Sequence, residues 1–170
     1  MVDTRNLSTG GGLLVLAACD MAAEGKSAGE IAQACTALAA QVDASFVIDD
    51  LTFLYKGGRC SALAALGANL LKIKPCIIVQ DGKMIVGQKY RGKFAATLKK
   101  YIADQLGDAS QVDLKRVFVT HAGCDADIVA QCVAQVKETA PFEEILCTRA
   151  GCTISSHCGR NTLGVLFLRK

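Results

Sequence analysis

The stretch that decides the fold is PCIIVQDGKMIVGQ, residues 75–88. β-Branched residues lie on both sides of Asp81-Gly82, and an Asp-Gly pair suits a type I′ turn, in which both central residues have positive φ. The sequence therefore predicts two antiparallel strands, 75–80 and 83–88, joined by a tight hairpin.

Helices and further strands alternate on both sides of this hairpin. Gly10-Gly11-Gly12 reads as a turn into a helix that ends near Gly25, and Ser27 with Glu30 forms a capping box that opens a second helix. The remaining patterns predict helices over 62–71, 94–106 and 124–139 and strands over 45–48, 116–120, 144–147 and 165–168. Strands interleaved with helices, plus one hairpin, predict an α/β fold with a mixed β-sheet covered by α-helices.

The composition limits the function mainly by exclusion. The chain has 170 residues, 51% of them hydrophobic, which is enough for one well-buried domain and an appended element. The net charge is only +3, and the basic residues are dispersed outside 83–100, so wholesale nucleic-acid binding is disfavoured. The longest apolar runs are too short to span a bilayer, so no stable membrane insertion is expected.

The nine cysteines do not indicate a disulfide framework, because their number is odd and no secretory leader precedes them. Most lie in predicted helices and strands, where cysteine behaves as a small hydrophobe. No C-x-x-C pair occurs, and the spacing of Cys147, Cys152 and Cys158 does not favour zinc. The consistent interpretation is a cytoplasmic protein with reduced cysteines and no metal or cofactor.

The best candidate for a ligand-binding segment lies near the C-terminus, SHCGRNTLG over residues 156–164. A histidine in a loop flanked by glycines can bring its ring to an anion, because glycine allows the backbone to approach a ligand closely. A histidine in such a loop is more often structural, so a ring that merely packs on its neighbours is the alternative.

A second segment, FVIDDLTFLYKGGR over residues 46–59, reads as a strand, a turn and a short helix that ends at a glycine pair. Asp49 and Asp50 could be metal ligands or a general acid and base, but adjacent residues in an extended segment point to opposite faces. Asp50 is better interpreted as the N-cap of the helix that follows. His121 to Asp125 also follows a strand and opens a helix, so its amides could attract an anion, although Asp125 as a helix-start residue explains this segment more simply.

Together these segments resemble the DegV family of bacterial fatty-acid-binding proteins. The landmarks occur in the family's order: an aspartate pair, L-x-x-L-x-x-G-G-R, an I-K-P strand, an Asp-Gly hairpin, a basic R-G segment, and H-x-G-x-x-x-x-G before a strand. In this chain they are Asp49-Asp50, 51–59, Ile73-Lys74-Pro75, Asp81-Gly82, Tyr90-Arg91-Gly92-Lys93 and 157–164. The resemblance covers essentially the whole chain and implies the C-terminal domain of a two-domain DegV-like fold.

The resemblance implies that His157, with Ser156 and Gly159 beside it, binds the carboxylate of a long-chain fatty acid. The chain departs from the family at Arg160-Asn161, where Pro-Gly is usual. This departure leaves the backbone path of the histidine loop open and adds a cation to it.

The resemblance also implies a partner protein. Arg59, after Gly57 and Gly58, would lie near the domain interface and the ligand's entrance, and Arg91 would contact a separate fatty acid kinase. That kinase would phosphorylate the carboxylate while this chain holds the lipid, so the chain would be a carrier and not an enzyme. Gly10-Gly11-Gly12 lacks the Lys-Ser/Thr of a phosphate-binding loop, and ATP binding by this chain is not expected.

The family's N-terminal α/β domain, which supplies serine and threonine hydroxyls to the carboxylate, would be missing. Residues 1–26 would then be a residual strand of that domain with a linking helix, and residues 27–170 the lipid-binding domain. Apolar surface left open in such a truncated form favours self-association, most simply as a homodimer through that face.

Two other functions use the same histidine. Cys158 adjoins His157, and an imidazole can activate a thiolate in a Cys/His-based hydrolase, although side chains adjacent in sequence usually diverge. A subunit similar to the dihydroxyacetone kinases would use the histidine to hold a small ketone. Nothing in the sequence beyond His157 selects that function.

Overall fold

The fold is described from a computed structural model, which defines residues 1–58 and 73–170. The predicted α/β architecture is confirmed, with a mixed six-stranded sheet covered by helices. The helices are α1 (Ser8–Ala23), α2 (Ala28–Leu38), α3 (Thr52–Lys56), α4 (Phe94–Leu106), α5 (Ala126–Thr139) and α6 (Cys152–Cys158). The strands are β1 (Val42–Ile48), β2 (Lys74–Gln80), β3 (Lys83–Tyr90), β4 (Val112–Ala122), β5 (Glu144–Arg149) and β6 (Thr162–Arg169).

The strands follow the order β3-β2-β1-β6-β4-β5 across the sheet. All neighbouring pairs are antiparallel except β4 and β5, which run parallel and are connected through α5. The predicted hairpin joins β2 to β3: Gln80 pairs with Lys83, and Asp81 and Gly82 have φ of 50° and 73°. Both values lie in the left-handed region that a type I′ turn requires.

The two faces of the sheet are covered differently. Helices α4 and α5 pack on one face and bury the larger core, in which the Tyr101 hydroxyl lies 2.9 Å from Ser45 Oγ and accepts a 2.9 Å hydrogen bond from Val165 N. Helix α1 packs on the opposite face over a smaller cluster: Leu13, Leu14, Ala39, Val42, Ala44, Phe118 and Leu166. This second face is the one that carries the cavity described below.

Local capping signals predicted the helix starts well. The Ser27–Glu30 capping box is confirmed, with Glu30 N donating to Ser27 Oγ and Ser27 N donating to Glu30 Oε2 at 2.8 Å. Helix α3 begins one residue later than predicted, so Leu51 and not Asp50 is its N-cap residue; Asp50 Oδ1 still accepts from the first helical residue, from Thr52 N at 2.9 Å and from Thr52 Oγ1 at 2.6 Å.

Other boundaries differ from the predictions. Helix α1 begins at Ser8, so the three glycines lie inside the helix and do not form a turn before it. Strands β1, β4 and β6 are longer than predicted, since pairing with neighbours on both sides extends them beyond their most apolar residues. Residues 1–7, which the structure describes, contain no strand. The predicted helix over 62–71 lies outside the described residues, and the division at residue 26 stays a prediction.

None of the helices in the described part of the chain is both long enough and apolar enough to cross a bilayer.

Candidate functional site

A cavity of about 690 Å³ lies on the sheet face that carries α1. Its apolar wall is formed by Ala44, Phe46, Leu54, Val79, Met84, Ile154 and Leu166. Polar groups line it from four places: the segment that leads into α1, the β2–β3 turn with Asp81, the end of β4 and the end of α6. A small-ligand site typically has about 300–1,000 Å³ and an apolar lining with few polar groups, and this cavity has that character.

Small residues on the central strands keep the floor of the cavity open. Ala44 of β1 and Gly164 of β6 both line it. A Cβ atom on Gly164 would lie 2.6 Å from Ser45 O and 3.0 Å from Phe46 Cβ, so no larger residue fits there without moving β1. The sequence places this glycine in the family motif but does not reveal that it forms the floor.

His157 lies in the last turn of α6. The prediction that it lies in a loop is wrong. Its half-buried side chain lines the cavity. The Nδ1 atom is buried and has no hydrogen-bond partner among the described residues. Ring atoms Nδ1 and Cε1 face Gly57, because a Cβ atom there would lie 2.5 Å and 3.4 Å from them. Nε2 lies on the edge of the ring away from Gly57.

Glycine at position 57 is thus a contact of the histidine. The C-terminal end of α3 approaches the imidazole because residue 57 has no side chain, and the next residue, Gly58, ends the helix with φ 73°. The interpretation of this pair as a helix stop is confirmed. Gly58 is exposed and does not line the cavity.

The turn after α6 has a defined path despite the Arg160-Asn161 departure. Gly159 has φ 74° and is buried against the ring of Phe53, while Asn161 has φ 54°. Asparagine tolerates the left-handed region better than most residues, so it fits this position of the turn. Gly159 shapes this turn but does not itself line the cavity.

Ser156 was predicted beside His157 in the carboxylate site, yet its side chain is exposed and donates a 3.0 Å hydrogen bond to Thr153 O. Adjacent residues on a helix point about 100° apart, so a helical α6 directs these two side chains differently. Arg91 is exposed after β3 and lies outside the cavity lining, and Arg59 falls outside the described residues.

The sequence interpretation missed two sources of polar lining. Asn6, which precedes α1, and Ser8, its first residue, line the cavity. Thr120 lines it from β4, with its hydroxyl 2.6 Å from Thr9 Oγ1 and 2.9 Å from Thr148 Oγ1. Thr120 is a polar residue two positions after Phe118 in a strand predicted to be buried. That pattern could have identified it from the sequence.

His121 also lines the cavity, beside Thr120 at the end of β4. Burial lowers its pKa, and the positive charge of Arg149 on the neighbouring strand lowers it further. This histidine is therefore predominantly neutral near pH 7, and its Nδ1 atom is buried without a partner in the described part of the chain.

Comparison with known proteins places this geometry in a family. The model of the uncharacterised DegV family matches residues 1–170. A DegV domain-containing protein of Clostridium perfringens is 34% identical over 171 residues, which are 99% of this chain and 57% of that protein. The chain spans less than two thirds of the length of such relatives.

Solved structures show the same fold. A fatty-acid-binding DegV family protein of Thermus thermophilus matches with a TM-score of 0.84 and 27% identity, over 99% of this chain and 60% of its own. The fatty acid kinase B3 protein of Streptococcus pneumoniae, loaded with linoleic acid, matches with a TM-score of 0.78 and 23% identity, over 93% of this chain and 55% of its own. Because the family model covers every residue and the motifs occur in order, this chain belongs to the DegV family.

Proposed function

We propose that this chain forms the lipid-binding part of a fatty-acid carrier. The acyl chain lies along the apolar floor of the cavity, and the carboxylate meets His157 at one end. The observation that carries the proposal is an apolar cavity of about 690 Å³ with an imidazole in its lining. The Thermus thermophilus and Streptococcus pneumoniae structures, described as fatty-acid-binding and linoleic-acid-loaded, support the ligand class.

Burial of the acyl chain supplies the affinity. About fifteen methylenes at roughly 0.8 kcal/mol each give on the order of 12 kcal/mol of gross transfer free energy. Association costs at least about 4 kcal/mol of this in lost translational and rotational freedom. The surplus is sufficient for a carrier that holds a lipid without any covalent bond.

The imidazole supplies orientation. Its Nε2 edge faces away from Gly57 and can donate a hydrogen bond to a carboxylate oxygen. A hydrogen bond to a charged group contributes about 1.5–3 kcal/mol. His157 therefore fixes which end of the fatty acid lies at α6, while the apolar wall accepts the chain.

Replacement of His157 tests this arrangement. We expect His157→Ala to weaken fatty-acid binding about 10- to 150-fold, which corresponds to the loss of one charge-assisted hydrogen bond. Displacement of a fluorescent fatty acid by palmitic acid measures the affinity. Ser156→Ala is the matched control, because that exposed side chain bonds only to the backbone of its own helix. Unchanged affinity of His157→Ala would remove the histidine from the site, and a wild-type chain that binds no fatty acid would refute the carrier function.

The second part of the proposal concerns the fate of the bound lipid. We infer that a separate kinase phosphorylates the carboxylate while the carrier holds it. A carboxylate oxygen attacks the γ-phosphorus of ATP on the kinase, so that acyl phosphate forms and ADP leaves. The description of the Streptococcus pneumoniae relative as a fatty acid kinase protein supports this role. Arg91, exposed and outside the cavity, is a candidate contact for the kinase.

The Cys/His hydrolase has less support. Burial raises the pKa of the Cys158 thiol to about 11, so at neutral pH the group is a protonated thiol and a poor nucleophile. A small ketone would leave most of the 690 Å³ empty. The fatty-acid carrier is the function that uses both the apolar wall and the histidine.

A further inference from the structure

Helix α6 carries His157 but is only seven residues long, so its position depends on contacts at its ends. On one side Gly57 abuts the imidazole, and on the other the chain turns at once into β6. Thr162 Oγ1 donates a 2.9 Å hydrogen bond to Cys158 O across this turn. The position of the ring therefore depends in part on what fixes the residues between Gly159 and Thr162.

Asp49 and Asn161 fix that turn to the end of β1. The β1–β6 ladder ends with Ile48 opposite Thr162, and the next residue on each strand continues the pairing. Asp49 N donates to Asn161 O at 3.0 Å, and Asn161 Nδ2 donates to Asp49 Oδ2 at 3.2 Å. Backbone and side chain together thus link the turn after α6 to the segment that leads into α3.

Asn161 is suited to this position for two separate reasons. Its φ of 54° lies in the left-handed region, which asparagine adopts more readily than residues other than glycine. Glycine would adopt the same conformation but would have no side chain to bond Asp49. The asparagine therefore adds a side-chain bond to Asp49 that glycine at this position would lack.

Lys74 holds the carboxylate in place. Its Nζ lies 2.5 Å from Asp49 Oδ1 and donates to Asp49 O at 3.1 Å. The two side chains are only 21% and 27% exposed, so solvent screens this pair less than a surface ion pair. Asp49 Oδ1 is thereby bound to Lys74, and Oδ2 is directed toward Asn161.

We propose that Asn161, Asp49 and Lys74 are positioning residues that determine where the His157 ring lies at the end of the cavity. This role rests on the proposed function, because the ring matters only if it meets a ligand. The three residues do not line the cavity. They act through the turn after α6.

Two variants of the 170-residue chain test the proposal. Asn161→Gly keeps the backbone conformation and removes only the side-chain bond, and Asp49→Asn keeps an acceptor but removes the charge that pairs with Lys74. Asp50→Asn is the control, because the neighbouring carboxylate bonds to Thr52 and not to the turn. The readouts are displacement of a fluorescent fatty acid by palmitic acid and the imidazole ¹⁵N and ¹H resonances. The chain has only two histidines, so His121 serves as an internal reference.

We expect Asn161→Gly to shift the His157 ring resonances and to weaken fatty-acid binding about tenfold, with the His121 resonances unchanged. Asp49→Asn should move the same signals, and Asp50→Asn should leave them as in the wild type. A folded Asn161→Gly chain with wild-type affinity and wild-type His157 resonances would overturn the proposal. If the His121 resonances also shift in Asn161→Gly, the Asp49→Asn variant is the deciding test. Unchanged His157 resonances in Asp49→Asn would then overturn the proposal. A wild-type chain that binds no fatty acid would refute the proposed function instead. The positioning role of Asn161 and Asp49 would then be tested by the His157 ring resonances alone.

Discussion

Replacement of Gly57 by alanine should displace the His157 ring by direct contact. Residue 57 has φ −75°, so alanine is allowed by the backbone. The new Cβ atom would lie 2.5 Å from His157 Nδ1 and 3.0 Å from Phe53 O. The imidazole is the end of a side chain and Phe53 O is part of the main chain, so the ring is the group that must yield.

The size of the displacement follows from the contact distances. Ordinary contact with a Cβ atom begins near 3.4 Å, so Nδ1 must retreat by about 0.9 Å from its present position. Because Nε2 lies on the edge of the ring away from Gly57, this movement would push Nε2 about 0.9 Å toward the carboxylate, so a hydrogen bond of about 2.8 Å could not keep its geometry unless the ligand also moved. We expect a loss of about 1.5–3 kcal/mol, which is about 10- to 150-fold in fatty-acid affinity.

Displacement of a fluorescent fatty acid measures this loss, and thermal unfolding measures the effect on stability. Gly58→Ala is the matched control. That residue has φ 73°, so alanine there is strained by about 1 kcal/mol, but its Cβ would meet none of the described residues within 4 Å. Gly57→Ala should therefore lower affinity more than stability, and Gly58→Ala the reverse. Equal affinities of wild type and Gly57→Ala would show that the ring position does not determine binding.

Three further predictions follow from other contacts. Gly164→Ala should destabilise the fold by about 1–3 kcal/mol, since its Cβ would lie 2.6 Å from Ser45 O, and an unchanged midpoint of urea unfolding would contradict this. Arg91→Glu should slow kinase-dependent acyl-phosphate formation several-fold at low salt while lipid affinity persists. Lys137→Glu, a charge reversal at another exposed cation, is its control, and equal rates would place the kinase contact elsewhere. The 170-residue chain should self-associate through exposed apolar surface that includes Val15, which is 60% exposed, and sedimentation should show Val15→Lys shifting the chain toward monomer.

Features that depend on a few neighbouring residues could be predicted from the sequence. The Asp81-Gly82 hairpin and the Ser27–Glu30 capping box are specified locally, and both form as expected. The order of landmarks likewise predicted the family and the class of fold. These features depend little on what packs against them.

Features that depend on distant contacts could not be predicted. The glycines at 10–12 have low helix propensity, yet α1 includes them because the helix packs on the sheet, where Gly12 approaches the ring of Phe118. Helix α6 contains threonine and two serines and has no periodic pattern, so His157 was expected in a loop. The cavity takes its lining from many separate elements, and only the assembled sheet brings them together.

The alternation of side chains along β1 and β6 explains how one sheet supports both stability and binding. Ser45 and Val165 point to the face where Tyr101 is fully buried and hydrogen-bonded to both, whereas Ala44 and Gly164 point to the cavity. Larger residues at the second pair of positions would gain buried area only by filling the space that a ligand needs. The larger share of the packing on these strands therefore lies on the α4–α5 face, where the larger core and the buried tyrosine are, while the cluster under α1 contributes a smaller share. The face that carries the cavity can then remain incompletely packed, because the opposite face holds the same strands in register.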